Sequence, residues 1–188
     1  MFLKAAGLGA ALALAAAFPR FKDGPPPAHT GGFGEPTCRQ CHSDAGLNEP
    51  GARLAITGVP SGYQPGRAYE LTVSLERSGM LRAGFQLAAR FAAGARAGLQ
   101  AGELAPIDAR TAVVSDTGTH ISFIEHTLAG TGVAPGSGAA RWTFRWTAPA
   151  VPGGAVVMHL TGNAANDDDS PLGDFIYATA THVRVAPR

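Results

Sequence analysis

Cysteine is nearly missing from this chain: Cys38 and Cys41 are the only two. One C-x-x-C pair is too few for a zinc site of the usual two-pair kind. Charge is scarce as well, at 15% of residues, with 15 Lys and Arg against 14 Asp and Glu. No basic stripe offers itself to nucleic acid, and no apolar run beyond the first segment is long enough to span a bilayer. The sequence also lacks a Ser-His-Asp spacing, a metal-hydrolase motif and a nucleotide-binding loop, which removes the common enzyme classes. No internal repeat is visible.

The first segment, "MFLKAAGLGAALALAAAFPR", joins one lysine to an apolar run from Ala5 to Ala17 that ends in an A-x-A pattern before Pro19. The run falls short of the roughly 20 residues that a spanning helix needs. Residues 1–17 are therefore expected to be a secretory signal peptide cut near Ala17, with an uncleaved anchor as the alternative. Without Lys4 the remainder is formally neutral. It is one domain of ordinary size, large enough for a real core. Its expected location is the periplasm, the medium or the cell surface of a bacterium.

Glycine (25) and proline (14) are plentiful, and their distribution divides the chain. Residues 18–52, beginning "FPRFKDGPPPAHTGGFGEP", show no hydrophobic periodicity and should form an extended arm carrying the cysteines. Residues 53–188 change character. "LAITGV", "YELTVSLE", "GFQLAARF", "TAVVS", "HISFIEHT", "RWTFRWTA", "AVVMHLTG" and "FIYATATHVRV" are short runs divided by turn signals such as "SGYQPG" and "APAVPGG". That pattern predicts an all-β domain, an antiparallel sandwich or barrel. Glycines within the Ala-rich 88–101 stretch argue against a long helix there. Alternation puts Trp142, Phe144 and Trp146 on one face, as core, and Arg141, Thr143 and Arg145 on the other. In "HISFIEHT" it groups His120, Ser122, Ile124 and His126. Those two histidines would lie about 20 Å apart along a strand, too far to share one metal.

"GEPTCRQCHSDAG" holds the chemistry. In C-x-x-C-H two thiols at this spacing meet the two vinyl groups of a haem as thioethers, and the next residue, a histidine, binds the iron. Attachment outside the cytoplasm agrees with a leader. A thioredoxin-type dithiol would expect a βαβ context, which is lacking, and a disulfide closing so small a loop would stabilise little. The expected site is thus one covalent haem c on Cys38 and Cys41, with His42 as the proximal ligand. Candidates for the sixth position are His29, Met80, His120, His126, Met158, His159 and His182. Met158 reads as core, His159 and His182 as surface. His29 lies in the loose arm, and Met80 in a loop, "RSGMLRAG". A methionine ligand would raise the potential and a histidine would lower it.

"YQPGRAYELTV", "GFQLAAR", "EHT", "RWTFRWTAPA" and "LTGNAANDDDSPLGDFIY" resemble the bacterial relatives of the reelin (reeler) domain from about Gly31 to Val185. The "WTFRWTAP" and "GNAAN…GDFIY" pair is the specific part. The resemblance implies an immunoglobulin-like (reeler-type) antiparallel β-sandwich, secreted or surface-located, with an N-terminal extended haem-binding segment. No enzymatic activity attaches to such a fold. The family pattern of a histidine and threonine before the "W-x-F-x-W-T-A-P" strand points to His126 as the distal ligand, ahead of Met80 and then His120.

The acidic loop "NAANDDDSPLGD" gathers Asp167, Asp168, Asp169 and Asp174. These ligand types suit Ca²⁺, but the spacing matches no EF-hand, and adjacent carboxylates usually form a solvated turn. The function expected is electron transfer by a secreted monohaem c-type cytochrome, an electron carrier and no enzyme, with peroxidase-like activity left open. The near-neutral surface implies weak electrostatic steering toward other redox proteins. Self-association through haem edges stays open. The alternatives are a haem-based sensor or small-ligand binder, and a surface interaction module in which haem is secondary.

Overall fold

The computed structural model describes residues 21–187; the expected signal peptide lies outside the described residues. Ten strands form two sheets: β1 (Ala52–Thr57), β2 (Gly62–Tyr63), β3 (Ala68–Arg77), β4 (Arg82–Phe91), β5 (Glu103–Pro106), β6 (Thr111–Ser115), β7 (Ser122–His126), β8 (Ala139–Thr147), β9 (Val156–Ala165) and β10 (Phe175–Val185). One sheet runs β1-β3-β8-β5 and the other β2-β10-β9-β4-β7-β6. All the pairings are antiparallel except β10 with β2. Each of the eight sequence runs corresponds to a strand. The two short strands β2 and β5 carried too few residues to show a period.

The core lies between the sheets. Trp142, Phe144 and Trp146 of β8 point into it and are fully buried, with Leu71, Val73 and Leu75 of β3, Phe85, Leu87 and Phe91 of β4 and Met158 and Leu160 of β9. Both indoles donate to backbone carbonyls, Trp142 Nε1 to Gly130 O and Trp146 Nε1 to Ala101 O, each at 2.9 Å, so no polar atom is stranded by their burial. The alternation read from "RWTFRWT" is the one observed.

β4 does not alternate: after Arg82 it is buried along its whole length. One face meets the core, and the arm covers the other. Ala88, Ile121 and Phe123 form a second small cluster on that outer side, with Ala28 of the arm packed against it. The arm is fastened mainly by polar contacts. His29 N donates to Gln86 Oε1 at 2.7 Å, Thr30 Oγ1 donates to Glu35 Oε2 at 2.5 Å, and Glu35 pairs with Arg90. Both partners of that pair are largely buried, at 6% and 12% side-chain exposure. Phe33 lies edge-on to His159, with ring centroids 5.4 Å apart. Further on, Asn48 N donates to Ile176 O at 2.9 Å and Ala178 N to Asn48 Oδ1 at 2.8 Å, which pins the end of the arm to β10.

Two details differ from the sequence expectation. His120 is not in a strand: it occupies the β6–β7 turn at φ 59°, its N–H donating to Asp116 O at 2.8 Å. Asp116 dictates that turn by also accepting from the Gly118 and Thr119 amides. His159 is no surface residue, since the arm half-buries it. Glu35→Ala would leave the Arg90 guanidinium buried without its carboxylate, a change that costs roughly 3–5 kcal/mol when one partner of a buried pair is lost. Urea unfolding should show a loss of that size, and limited proteolysis should cut the arm faster than in the wild type. Unchanged values in both assays would mean that the pair does not hold the arm.

Candidate functional site

Antiparallel pairing brings the start of β4 and the ends of β7 and β9 to one end of the six-stranded sheet, and the arm crosses that end. A cavity of about 460 Å³ lies there, within the range of small-molecule and cofactor sites. Its wall includes Cys38, Cys41 and His42 from the arm, Gly84 and Phe85 from β4, His126 from β7, Asn163 from β9 and Asp174 from the β9–β10 loop. His29 also lines it. Met80 does not line it: this side chain is buried in the core between the sheets. Met158 is in the same core, and His120 and His182 lie on the surface.

The cysteine motif forms a 3-10 turn over Cys38–Gln40. Thr37 caps it, accepting from Arg39 N at 3.2 Å, as a threonine at a helix start does. Cys38 O accepts from both Cys41 N (3.2 Å) and His42 N (3.1 Å). Residues three apart in such a turn eclipse one another, so the two thiols share a side. Neither forms a disulfide. Burial, reinforced by Cys41 and Glu125 nearby, pushes the Cys38 thiol up to about 12.

His42 is held by the loop. Its Nδ1 lies 2.7 Å from Asp174 Oδ2, and Asn163 Nδ2 lies 3.5 Å from each ring nitrogen. His126 is 8% exposed. Its Nδ1 lies 3.1 Å from Phe85 N and 3.2 Å from Phe85 O, so it accepts from the one or donates to the other according to tautomer. Burial lowers the His126 pKa below its ordinary value, which keeps the imidazole neutral. Gly84 makes room for the ring: a Cβ there would sit 2.6 Å from His126 Cε1.

His29 is tied into the site and is not loose. Its Nδ1 lies 2.9 Å from Pro26 O and 3.1 Å from Pro27 O, and its Nε2 lies 2.8 Å from Gln40 Oε1, between the two cysteines. The acidic loop disperses its carboxylates. Asp167 pairs with Arg82, Asp169 with Lys22 at 2.6 Å and Asp174 with His42, while Asp168 accepts from Asn166 Nδ2 and Ser170 N. Among the described residues no group of three or more His, Cys, Asp or Glu side chains converges as a bare metal site. A haem iron asks for only two protein ligands, since the porphyrin supplies the other four.

Glu125 and Gln86 were missed by sequence reading, as polar residues on strands normally face water. Both are buried, with Gln86 Nε2 donating to Glu125 Oε2 at 2.8 Å. Gly24 of the arm, at φ 99°, lies so close that a Cβ would meet Glu125 Oε1 at 2.1 Å.

No family model and no curated protein matches this sequence. Solved structures do. The human F-spondin reeler domain aligns over 76% of this chain and 95% of its own, at 18% identity and a TM-score of 0.50. The fold is a reeler-type β-sandwich. The Reelin-N domain of F-spondin aligns over 79% of this chain and 97% of its own, also at 18% identity, with a TM-score of 0.49. At that identity the likeness concerns architecture alone. Among the described residues no helix is long and apolar enough to cross a membrane.

Desolvation raises the Glu125 carboxyl from 4.5 to about 7. The folded state therefore holds a proton that the unfolded chain has released, and folding stability falls as pH rises from about 4.5 to 7. His126, with its depressed pKa, acts oppositely, losing stability as pH falls below 6.5. Comparing urea unfolding of wild type and Glu125→Gln across pH 4.5 to 7 isolates the carboxyl. The wild type should lose a few kcal/mol more than the variant over that window, on the order of the pKa shift converted at 1.36 kcal/mol per unit. Parallel curves would contradict the assignment.

Proposed function

We propose that this chain is an extracytoplasmic monohaem c-type cytochrome that passes electrons between redox proteins. The observation that carries the proposal is the convergence of Cys38, Cys41 and His42 with a buried, neutral His126 on the wall of one cavity. The donor set suits the group: two free thiols on one side of a tight turn, one imidazole anchored through Nδ1, and a second held against a strand. A bound haem supplies one-electron iron chemistry at a potential set by its axial ligands.

Cys38 and Cys41 would hold the group by thioether bonds. His42, with Nδ1 engaged by Asp174, offers Nε2 as the proximal ligand. His126 is the distal candidate: with Nδ1 donating to Phe85 O, its Nε2 would carry the lone pair that binds the iron. Met80 is the weaker candidate, since reaching the cavity would require it to leave the core. Two imidazole ligands favour a lower potential than an imidazole and a methionine. The arm and the sheet end form the walls of the site, which opens to solvent beside Cys41. A secretory leader at residues 1–17 would deliver the chain to the compartment where thioethers form.

Optical spectra of protein matured in a host that attaches haem c test the ligand set. The wild type should be low-spin in both oxidation states, and His126→Ala should convert it to a high-spin form that binds CO. Met80→Ala should keep the low-spin bands while costing roughly 2–5 kcal/mol of stability, as core truncations do. Low-spin bands that survive His126→Ala would exclude His126. A wild type that is already high-spin and binds CO would favour the sensor reading.

A further inference from the structure

Every charged member of the acidic loop except one sits at the surface. Asp174 is 2% exposed, and its carboxylate is fully engaged. Oδ2 receives the His42 Nδ1 contact at 2.7 Å and Asn163 Nδ2 at 3.3 Å, and Oδ1 accepts from Asn166 N at 3.2 Å. Beside it, Gly173 N donates to Asp44 Oδ2 at 2.5 Å, which ties the loop to the segment just after the C-x-x-C-H turn. Asn163 Oδ1 is buried with no hydrogen-bond partner, so this amide has its NH₂ turned toward Asp174 and the His42 ring.

We infer that Asp174 is a positioning and tuning residue for His42. It fixes the proton on Nδ1, leaves Nε2 as the electron-pair donor and sets the ring plane, with Asn163 as its support. The consequence for redox chemistry rests on the haem reading above, whereas the pairing itself stands without it. A buried carboxylate accepting the Nδ1 proton raises the basicity of the imidazole more than a neutral carbonyl would. A more basic ligand stabilises the oxidised metal. The carboxylate also places a negative charge beside the site in a weakly screened setting. Both effects lower the reduction potential. In this account the "DDDSPLGD" loop delivers one buried carboxylate to the back of His42.

Two measurements test the inference. In the haem-free protein with reduced cysteines, ¹⁵N shifts of the His42 ring should show the Nδ1-protonated tautomer. That tautomer should lose its dominance in Asp174→Ala. In the haem-loaded protein, Asp174→Asn should shift the midpoint potential upward, and Asp174→Ala should shift it further. Asp174→Glu should restore part of the difference. Asp168→Asn removes one charge from the exposed part of the same loop and should move the potential less. An Nε2-protonated His42 in the wild type would overturn the inference, as would equal shifts in the Asp168 and Asp174 variants. If no haem attaches to any variant the haem reading fails, and the tautomer alone decides the Asp174–His42 pair.

Discussion

The contact on which the site depends is the one between an arm without hydrophobic periodicity and the outer face of a sheet. Such an arm has little apolar surface to bury, so it must be fastened by specific polar groups. Arg90 and Glu35 do this across β4, where the guanidinium also lies over the Phe33 and Phe123 rings, 5.5 and 5.4 Å from their centroids. Taking both charges out of water is costly, and their mutual pairing, the Thr30 hydroxyl and the two rings offset that cost. The result is a definite position for the segment that follows. Cys38 begins its turn two residues after Pro36, whose carbonyl accepts from Gly31 N at 2.9 Å. The cysteine motif is therefore aimed by the clamp behind it.

The sandwich supplies the rest of the wall. The sheet end offers strand termini whose ladders have run out. The β4–β7 ladder stops at Gln86–Glu125, and the next residue on β7, His126, turns its ring onto Phe85. β9 contributes Asn163, and the loop to β10 returns Asp174. Each group arrives from a different element, so the cavity exists only in the folded domain. Its polar groups are not uniform: three imidazoles line it, a carboxylate holds one of them, His42, from behind, and a protonatable Glu125 lies near Cys38.

Much of this was legible in the sequence, for identifiable reasons. Period-2 alternation is strong where one face meets the core and the other meets water, so "RWTFRWTA" revealed both strand and faces. It fails in "GFQLAARF", because the arm makes β4 a two-sided element, and Gln86, Arg90 and Glu125 then look like surface residues while they are buried. The C-x-x-C-H spacing singled out Cys38, Cys41 and His42 and the family resemblance singled out His126, and the four line one cavity. The role of Asp174 was hidden. "NDDDSPLGD" reads as a solvated turn, and nothing local distinguishes the aspartate that folds inward from those that pair with Lys22 and Arg82. His120 was misplaced because the run "HISFIEHT" is continuous in composition, although Asp116 had already committed its first residue to a turn.

Covalent attachment is the central claim, and intact-mass spectrometry of the mature protein under denaturing, reducing conditions tests it most directly. Produced in a host with the cytochrome c maturation machinery, the chain should retain one haem through denaturation. Cys38→Ala and Cys41→Ala together should release it. A wild-type mass equal to that of the bare polypeptide, from a host that loads other c-type cytochromes in parallel, would contradict the account.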